Sequence, residues 1–249
     1  MNPELDFEKR YRLIREIIET LVLTVLMFLI IRLAVQNFNI DGHSMEPNLH
    51  DQELVLVDKW TYLFHPPARG DVVVFKAPPN PSLDYIKRVI GLPGDVVTIK
   101  DTTVYVNGTA LTESYVQPSN QGNPYPSFTN RIIPPNTYFV LGDNRNGSSD
   151  SRDWGCLPRA NIIGRAALVY WPLGQNNDGL LPNESATYNG IHAPSQTNST
   201  DICQISPNNN VSATVPTPVS GPVNINMMLM LIMPGLFVAY SRRGRDTAD

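Results

Sequence analysis

The chain has 249 residues with a net charge of −4, enough for one sizeable domain plus extensions. No dense Lys/Arg block occurs in the central region, which argues against nucleic acid as the main partner. Two cysteines, Cys156 and Cys203, and four histidines without metal-ligand spacing suit neither a disulfide framework nor a zinc site, so no metal or cofactor is expected.

Residues 1–15 form a charged tail in which Lys9, Arg10, Arg12 and Arg15 precede an apolar run. That run, 16–38, is read as one helix anchoring the chain in a membrane. Its uncharged core is shorter than the roughly 20 residues that span a bilayer, but Glu19 and Arg32 near its ends reach toward the interfaces. A buried core helix fits the basic flank less well, and a cleaved signal peptide lacks its small-x-small site around Ala34 and Val35. The basic residues place the N-terminus in the cytoplasm and the chain beyond residue 38 outside.

Residues 39–175 carry a β pattern: short β-branched runs at 53–58, 71–76, 95–100, 103–107, 138–141 and 162–171 are punctuated by Gly, Pro, Asn and Asp. This predicts a mainly β domain with an antiparallel, barrel-like sheet. Residues 112–130 read as an irregular excursion, and 176–222, rich in Asn, Ser, Thr and Pro, as a linker. A second, weaker candidate span follows at 223–241, and the arginines of the 242–249 tail place it in the cytoplasm.

Three segments of the β region concentrate chemistry. The first holds Gly42, Ser44, Met45, Pro47 and Leu49 just beyond the anchor. A serine hydroxyl needs a base to become a nucleophile. His43 adjoins Ser44, but neighbours on a strand face opposite ways, which weakens a histidine triad. The second segment is 85–95, where Ile86, Val89 and Ile90 surround Lys87 with apolar bulk. A buried lysine loses its charge readily and then serves as a base; a solvated strand lysine is the plainer reading of this segment taken alone. On an extended strand Lys87 and Arg88 would face opposite ways. The third segment, 141–155, interleaves Asp143, Asp150 and Asp153 with Arg145 and Arg152, whose ion pairs would fix one loop shape behind a dyad.

Taken in this order, the segments resemble the boxes of bacterial type I signal peptidases (leader peptidases). Gly42-x-Ser44-Met45-x-Pro47-x-Leu49 resembles the nucleophile box, 70–75 the strand box after it, and 85–95 the lysine box. Gly142-Asp143-Asn144-Arg145 with Ser148, Asp150, Ser151, Arg152, Trp154 and Gly155 resembles the last box. The resemblance covers roughly residues 15–172. It implies a mainly β peptidase domain, Ser44 as nucleophile and Lys87 as general base. It also implies that the Ser148 hydroxyl orients the lysine, that Asp143, Asp150 and Arg152 shape the site, and that Gly42, Met45 and Pro47 lie along the substrate groove and oxyanion region. The expected activity is removal of signal peptides from secreted precursors at a bacterial plasma membrane, with membrane lipid and those precursors as partners.

Two departures stand out. Gly42 occupies a position where some members carry a serine that helps bind the oxyanion, so backbone N–H groups, Ser44's own first, are expected to do so. Asn146-Gly147 replaces the usual Asp-Asn of the last box and lowers its charge. A neutral Lys87 requires a downward pKa shift of about 3 units, roughly 4 kcal/mol. A self-cleaving repressor-type peptidase is opposed by the anchor, and an inactive anchored scaffold by the presence of both dyad residues. Cys156 reads as a free thiol, although an external location permits a disulfide.

Overall fold

A computed structural model describes residues 3–116, 119, 127–172, 179–181, 184–194, 201–204 and 219–220. The second candidate span, 223–241, and the tail after it lie outside the described residues.

The first element is helix α1 (Pro3–Ala34). Its stretch Arg10–Ala34 is long and apolar enough to cross a membrane, and its apolar window is not buried among the described residues. At 1.5 Å per residue these 25 residues reach about 37 Å, more than a hydrocarbon core about 30 Å thick. Some of its polar side chains bond within the helix: Arg15 Nε donates to Glu19 Oε1 at 2.6 Å, and Thr20 and Thr24 Oγ1 donate to carbonyls one turn back. The helix ends at Ala34, short of the expected residue 38. Val35, Gln36, Asn37 and Phe38 pair instead with a neighbouring strand, and burial of Phe38 and Ile40 draws them into the domain.

That strand is β1 (Val35–Ile40), followed by β2 (Leu54–Asp58), the single-turn helix α2 (Thr61–Phe64), β3 (Val72–Ala77) and the long β4 (Asn80–Gly91). Then come β5 (Val96–Lys100), β6 (Thr103–Val106), β7 (Thr109–Ala110), β8 (Phe128–Ile132), β9 (Thr137–Leu141), α3 (Ser151–Trp154), β10 (Leu157–Pro158), β11 (Ile162–Trp171) and β12 (Val219–Ser220). The domain is mainly β, and all strand pairings are antiparallel. One sheet has the order β10-β9-β4-β12-β1-β2-β11-β3, with β3 also paired to β4. A smaller sheet runs β7-β6-β5-β8. The Asn107-Gly108 pair closes the β6–β7 hairpin with positive φ at both positions, as a two-residue turn requires.

The six expected strand runs correspond to β2, β3, β5, β6, β9 and β11. β8 lies at the end of the interval read as irregular. Val55, Val57, Val72 and Val74 pack with Phe38, Met45 and Leu49 in one core region. Phe75, Tyr85, Val89 and Trp154 form a second, and Ile90, Val97, Phe139 and Leu141 join a third between the sheets.

Two readings need correction. Cys156 is not a free thiol: it is joined to Cys203 by a disulfide across 47 residues. The interval read as a linker also contributes to the folded domain. Tyr188 and Cys203 are buried, Leu180 bridges Leu168, and Ile202 bridges Ile132. Composition averages hid this, because a few well-placed side chains suffice once a disulfide holds the segment down.

Candidate active site

β1 leads directly into a compact turn at 42–49, and Ser44 lies in that turn, only 2% exposed. The turn is pinned from both sides. Met45 and Leu49 are buried in the core beneath it, and the N–H groups of Asn48 and Leu49 both donate to Met45 O at 3.0 Å. Gly42 adopts φ 101° and its N–H donates to Asp51 Oδ1 at 2.6 Å. Pro47 is half-buried in the same turn.

Lys87 enters from β4. This strand is paired on one side to β3 (Lys87 opposite Val73) and on the other to β9 (Arg88 opposite Leu141). Both its edges are therefore paired; Ile86 and Ile90 pack into core regions on one face and Tyr85 and Val89 on the other, so every residue from Tyr85 to Gly91 is buried. The expected alternation sends Lys87 and Arg88 to opposite faces, yet both are 1% exposed. Lys87 Nζ lies 2.7 Å from Ser44 Oγ and donates to Ile86 O at 2.8 Å. Burial, which disfavours the ammonium, lowers its pKa to about 8; Asp150 and Asp143 oppose this and Arg152 assists it. His43, by contrast, is an exposed side chain whose Nδ1 lies 2.7 Å from Glu46 Oε1, and that contact raises its pKa.

The loop after β9 forms the back wall. Asn144 N–H donates to Ser44 O at 3.0 Å, and its side-chain amide donates to His43 O at 3.0 Å. Gly142 has to be glycine. A Cβ there would lie 2.5 Å from Ser44 O and 2.2 Å from Ser148 Oγ. Ser148 is thus packed against the loop beneath Ser44, but its buried Oγ has no hydrogen-bond partner among the described residues. The expected hydroxyl contact with the lysine is not made in this arrangement; the ammonium is held by Ser44 and Ile86.

Two buried ion pairs flank the lysine. Asp143 accepts from Arg88 Nε and Nη2 at 2.8 and 2.6 Å and from Asn48 Nδ2 at 2.9 Å. Asp150 accepts from Arg152 Nε and Nη2 at 2.8 and 2.7 Å and from Gly142 N–H at 3.0 Å. Burial pushes the Asp150 carboxyl up, but Arg152 and these N–H donors outweigh it and leave the pKa lowered. Asp150 also caps α3, with Asp153 returning the contact to the Asp150 N–H. Bidentate pairs of this kind hold fixed geometry, which is what a precisely spaced dyad needs.

Several contributors were not legible in the sequence. Arg88, on the face expected opposite Lys87, binds Asp143, donates to Gly70 O at 3.0 Å and stacks 4.3 Å over the Tyr115 ring. Arg145 donates to Gly142 O at 3.1 Å and to both oxygens of Glu113, which in turn accepts from Tyr115 OH at 2.7 Å. Tyr115 OH lies 2.7 Å from Tyr188 OH, so the segment beyond the β domain also touches this network. The available signal was the charge of Arg88, beside Lys87 in a run flanked by Ile and Val, which demands a buried partner.

The arrangement can perform nucleophilic acyl transfer. A hydroxyl and a buried amine sit within hydrogen-bond distance, and burial lowers the amine's pKa to about 8, which favours its neutral form.

Known proteins match much of this chain. A family model described as signal peptidase, peptidase S26, matches residues 14–171. The signal peptidase I of Leptolyngbya laminosa is 42% identical over 168 residues, covering 64% of this chain and 80% of that protein. Signal peptidase IB of Staphylococcus aureus is 35% identical over 187 residues, covering 70% and 97%. A solved signal peptidase I from Enterococcus faecalis is 35% identical and covers 41% of this chain and 98% of that one, with a TM-score of 0.38.

Proposed function

The chain belongs to the peptidase S26 signal peptidase family and is a serine peptidase that removes signal peptides from precursor proteins, and we propose that it does so through a Ser44–Lys87 dyad. The observation that carries the proposal is the 2.7 Å approach of Lys87 Nζ to Ser44 Oγ inside a buried site that lowers the lysine pKa.

In the protonated state the ammonium donates to Ser44 Oγ; once neutral, its lone pair accepts the hydroxyl proton. Ser44 Oγ then attacks the scissile carbonyl, and the proton passes from Lys87 to the leaving amine as the acyl-enzyme forms. Water attacks that ester with Lys87 again as base. Developing negative charge on the carbonyl oxygen is met by backbone N–H groups. Gly42 has no side chain, and its own N–H is engaged by Asp51, which leaves Ser44 N–H as the first donor. Ser148 serves by filling the space beside Gly142, and Asp143, Asp150 and Arg152 hold the loop and tune the field at Lys87. Met45 and Pro47 shape the floor of the groove.

The substrates are secreted precursors with small residues before the cleavage point. α1 acts as the anchor in a bacterial plasma membrane. Its basic N-terminal flank favours a cytoplasmic N-terminus and a peptidase domain outside. The 223–241 run, followed by Arg242, Arg243 and Arg245, is a second span on the same grounds. The extra β3–β4 pairing supports a barrel-like reading of the large sheet.

The test is cleavage of a signal-peptide-bearing precursor by the purified full chain in lipid or detergent, beside Ser44→Ala and Lys87→Ala. Wild-type cleavage with both variants inert is the expected result; full activity in either variant removes the dyad.

A further inference from the structure

We propose that Tyr188 is a positioning residue for the cleavage reaction: its side chain closes over Arg88 and Tyr115 and thereby fixes the turn that carries Ser44. The proposal rests on the Ser44–Lys87 reading. It extends that reading to a segment which the family match, ending at residue 171, does not reach.

The chain around Tyr188 is fastened on either side. Gly179 O accepts from Val169 N–H on β11 at 2.9 Å, His192 O accepts from Asn107 Nδ2 at 2.8 Å, and Cys203 is joined to Cys156. Between these points lies a short helical turn (Ser185–Tyr188) in which only Tyr188 is buried. A buried tyrosine needs a partner for its hydroxyl, so the groups it meets decide what the segment does.

The Tyr188 ring packs against Gly70, where a Cβ would lie 3.1 Å from the ring. Its hydroxyl lies 2.7 Å from Tyr115 OH. Tyr115 OH gives its own proton to Glu113, so Tyr188 is the donor of this pair. These are the same two residues that hold Arg88. Gly70 O accepts from Arg88 Nη1 at 3.0 Å, and the centre of the Tyr115 ring lies 4.3 Å from the Arg88 guanidinium carbon. Tyr188 therefore spans the two supports of Arg88 and keeps water from them, which strengthens the buried Arg88–Asp143 pair.

Two routes lead from Tyr115 to Ser44. In the first, Asn48, which shares the 42–49 turn with Ser44, donates its side-chain amide to Tyr115 O at 2.8 Å and to Asp143 Oδ2 at 2.9 Å. In the second, Glu113 holds Arg145, Arg145 donates to Gly142 O, and Asn144 N–H donates to Ser44 O. Tyr115 is the junction of both routes, and Tyr188 fixes its hydroxyl from the far side. Tyr188 thus acts through Tyr115 and not on the dyad itself. Its effect falls on the geometry of attack and leaves the charge state of Lys87 alone.

The experiment measures kcat and KM for a signal-peptide-bearing precursor with the full chain in detergent, the folded fraction of each variant being read from the emission of buried Trp154. Tyr188→Phe keeps the ring and removes the donor. Per folded molecule it is expected to lower kcat about threefold, and Tyr188→Ala about tenfold, with KM within about twofold of wild type and the acidic limb of the pH profile unmoved. Tyr115→Phe is expected to lower kcat at least as much as Tyr188→Phe. Adding Tyr188→Phe to it lowers kcat little further, because both remove the same contact. A tyrosine that only stabilises the fold would lower the unfolding midpoint and leave kcat per folded molecule as it was. Unchanged kcat in Tyr188→Phe overturns the proposal, whether or not Tyr188→Ala folds. A loss confined to KM overturns it too, as do losses in the two Phe variants that simply multiply. Cleavage that survives Ser44→Ala counts against the dyad; cleavage lost there but untouched in Tyr188→Phe counts against the role of Tyr188 alone.

Discussion

Lys87→Met should abolish cleavage and yet relieve a cost that the folded protein bears at neutral pH. Lys87 is fully buried, and its pKa falls from 10.5 in the unfolded chain to about 8 when folded. The unfolded state therefore binds more protons than the native state between these values, so stability rises with pH across that window. At pH 7 the penalty integrates to about 3 kcal/mol, and at pH 10 about 1 kcal/mol remains. Methionine matches the lysine side chain as far as Cε, lacks the amine and carries no charge. It also forfeits the contacts to Ser44 Oγ and Ile86 O, each worth about 1 kcal/mol and nearly independent of pH. The variant's stability relative to wild type should therefore decline by about 2 kcal/mol on going from pH 7 to pH 10. Denaturant unfolding of the full chain in detergent, followed by the emission of buried Trp154, measures this at both pH values. A relative stability that is flat across the window refutes the burial argument for a neutral lysine.

The same pKa predicts that wild-type kcat/KM falls about tenfold per unit below pH 8, and that His43→Ala leaves this limb in place. Gly142→Ala forces a Cβ into Ser44 O and Ser148; it should cost about 1–3 kcal/mol by overpacking and lower kcat more than it raises KM. Asp143→Asn leaves the Arg88 guanidinium buried without its counter-charge and should destabilise the domain by about 3–5 kcal/mol, read as a shift in denaturant midpoint. Cys203→Ser opens the 47-residue loop and should cost about 2–4 kcal/mol, with no change in the pH limb of the remaining folded enzyme.

Much of this protein was legible in one dimension. The uninterrupted apolarity of the first helix, the β-branched runs and their Gly/Pro/Asn punctuation are local properties, and local properties survive as local structure. The spacing of Ser44, Lys87 and the 142–155 loop named the chemistry because each residue type is rare in its setting: a lysine among Ile and Val, or three aspartates and two arginines in one short loop. The helix boundary at Ala34 was not legible, since Val35 to Phe38 are apolar enough for either state and only pairing with β2 decides.

Tertiary structure alone decided the rest, because it concerns which distant groups meet. Alternation along β4 sends Lys87 and Arg88 to opposite faces, which leaves open what Arg88 meets. The strand is covered on both faces, so Arg88 had to find Asp143, 55 positions away. Composition made 176–222 a linker, whereas one disulfide and the Tyr188–Tyr115 contact fold part of it onto the site. The proposed dyad residues are thus legible in the sequence. The desolvation that lowers the Lys87 pKa depends on neighbours far along the chain, and only the fold brings them together.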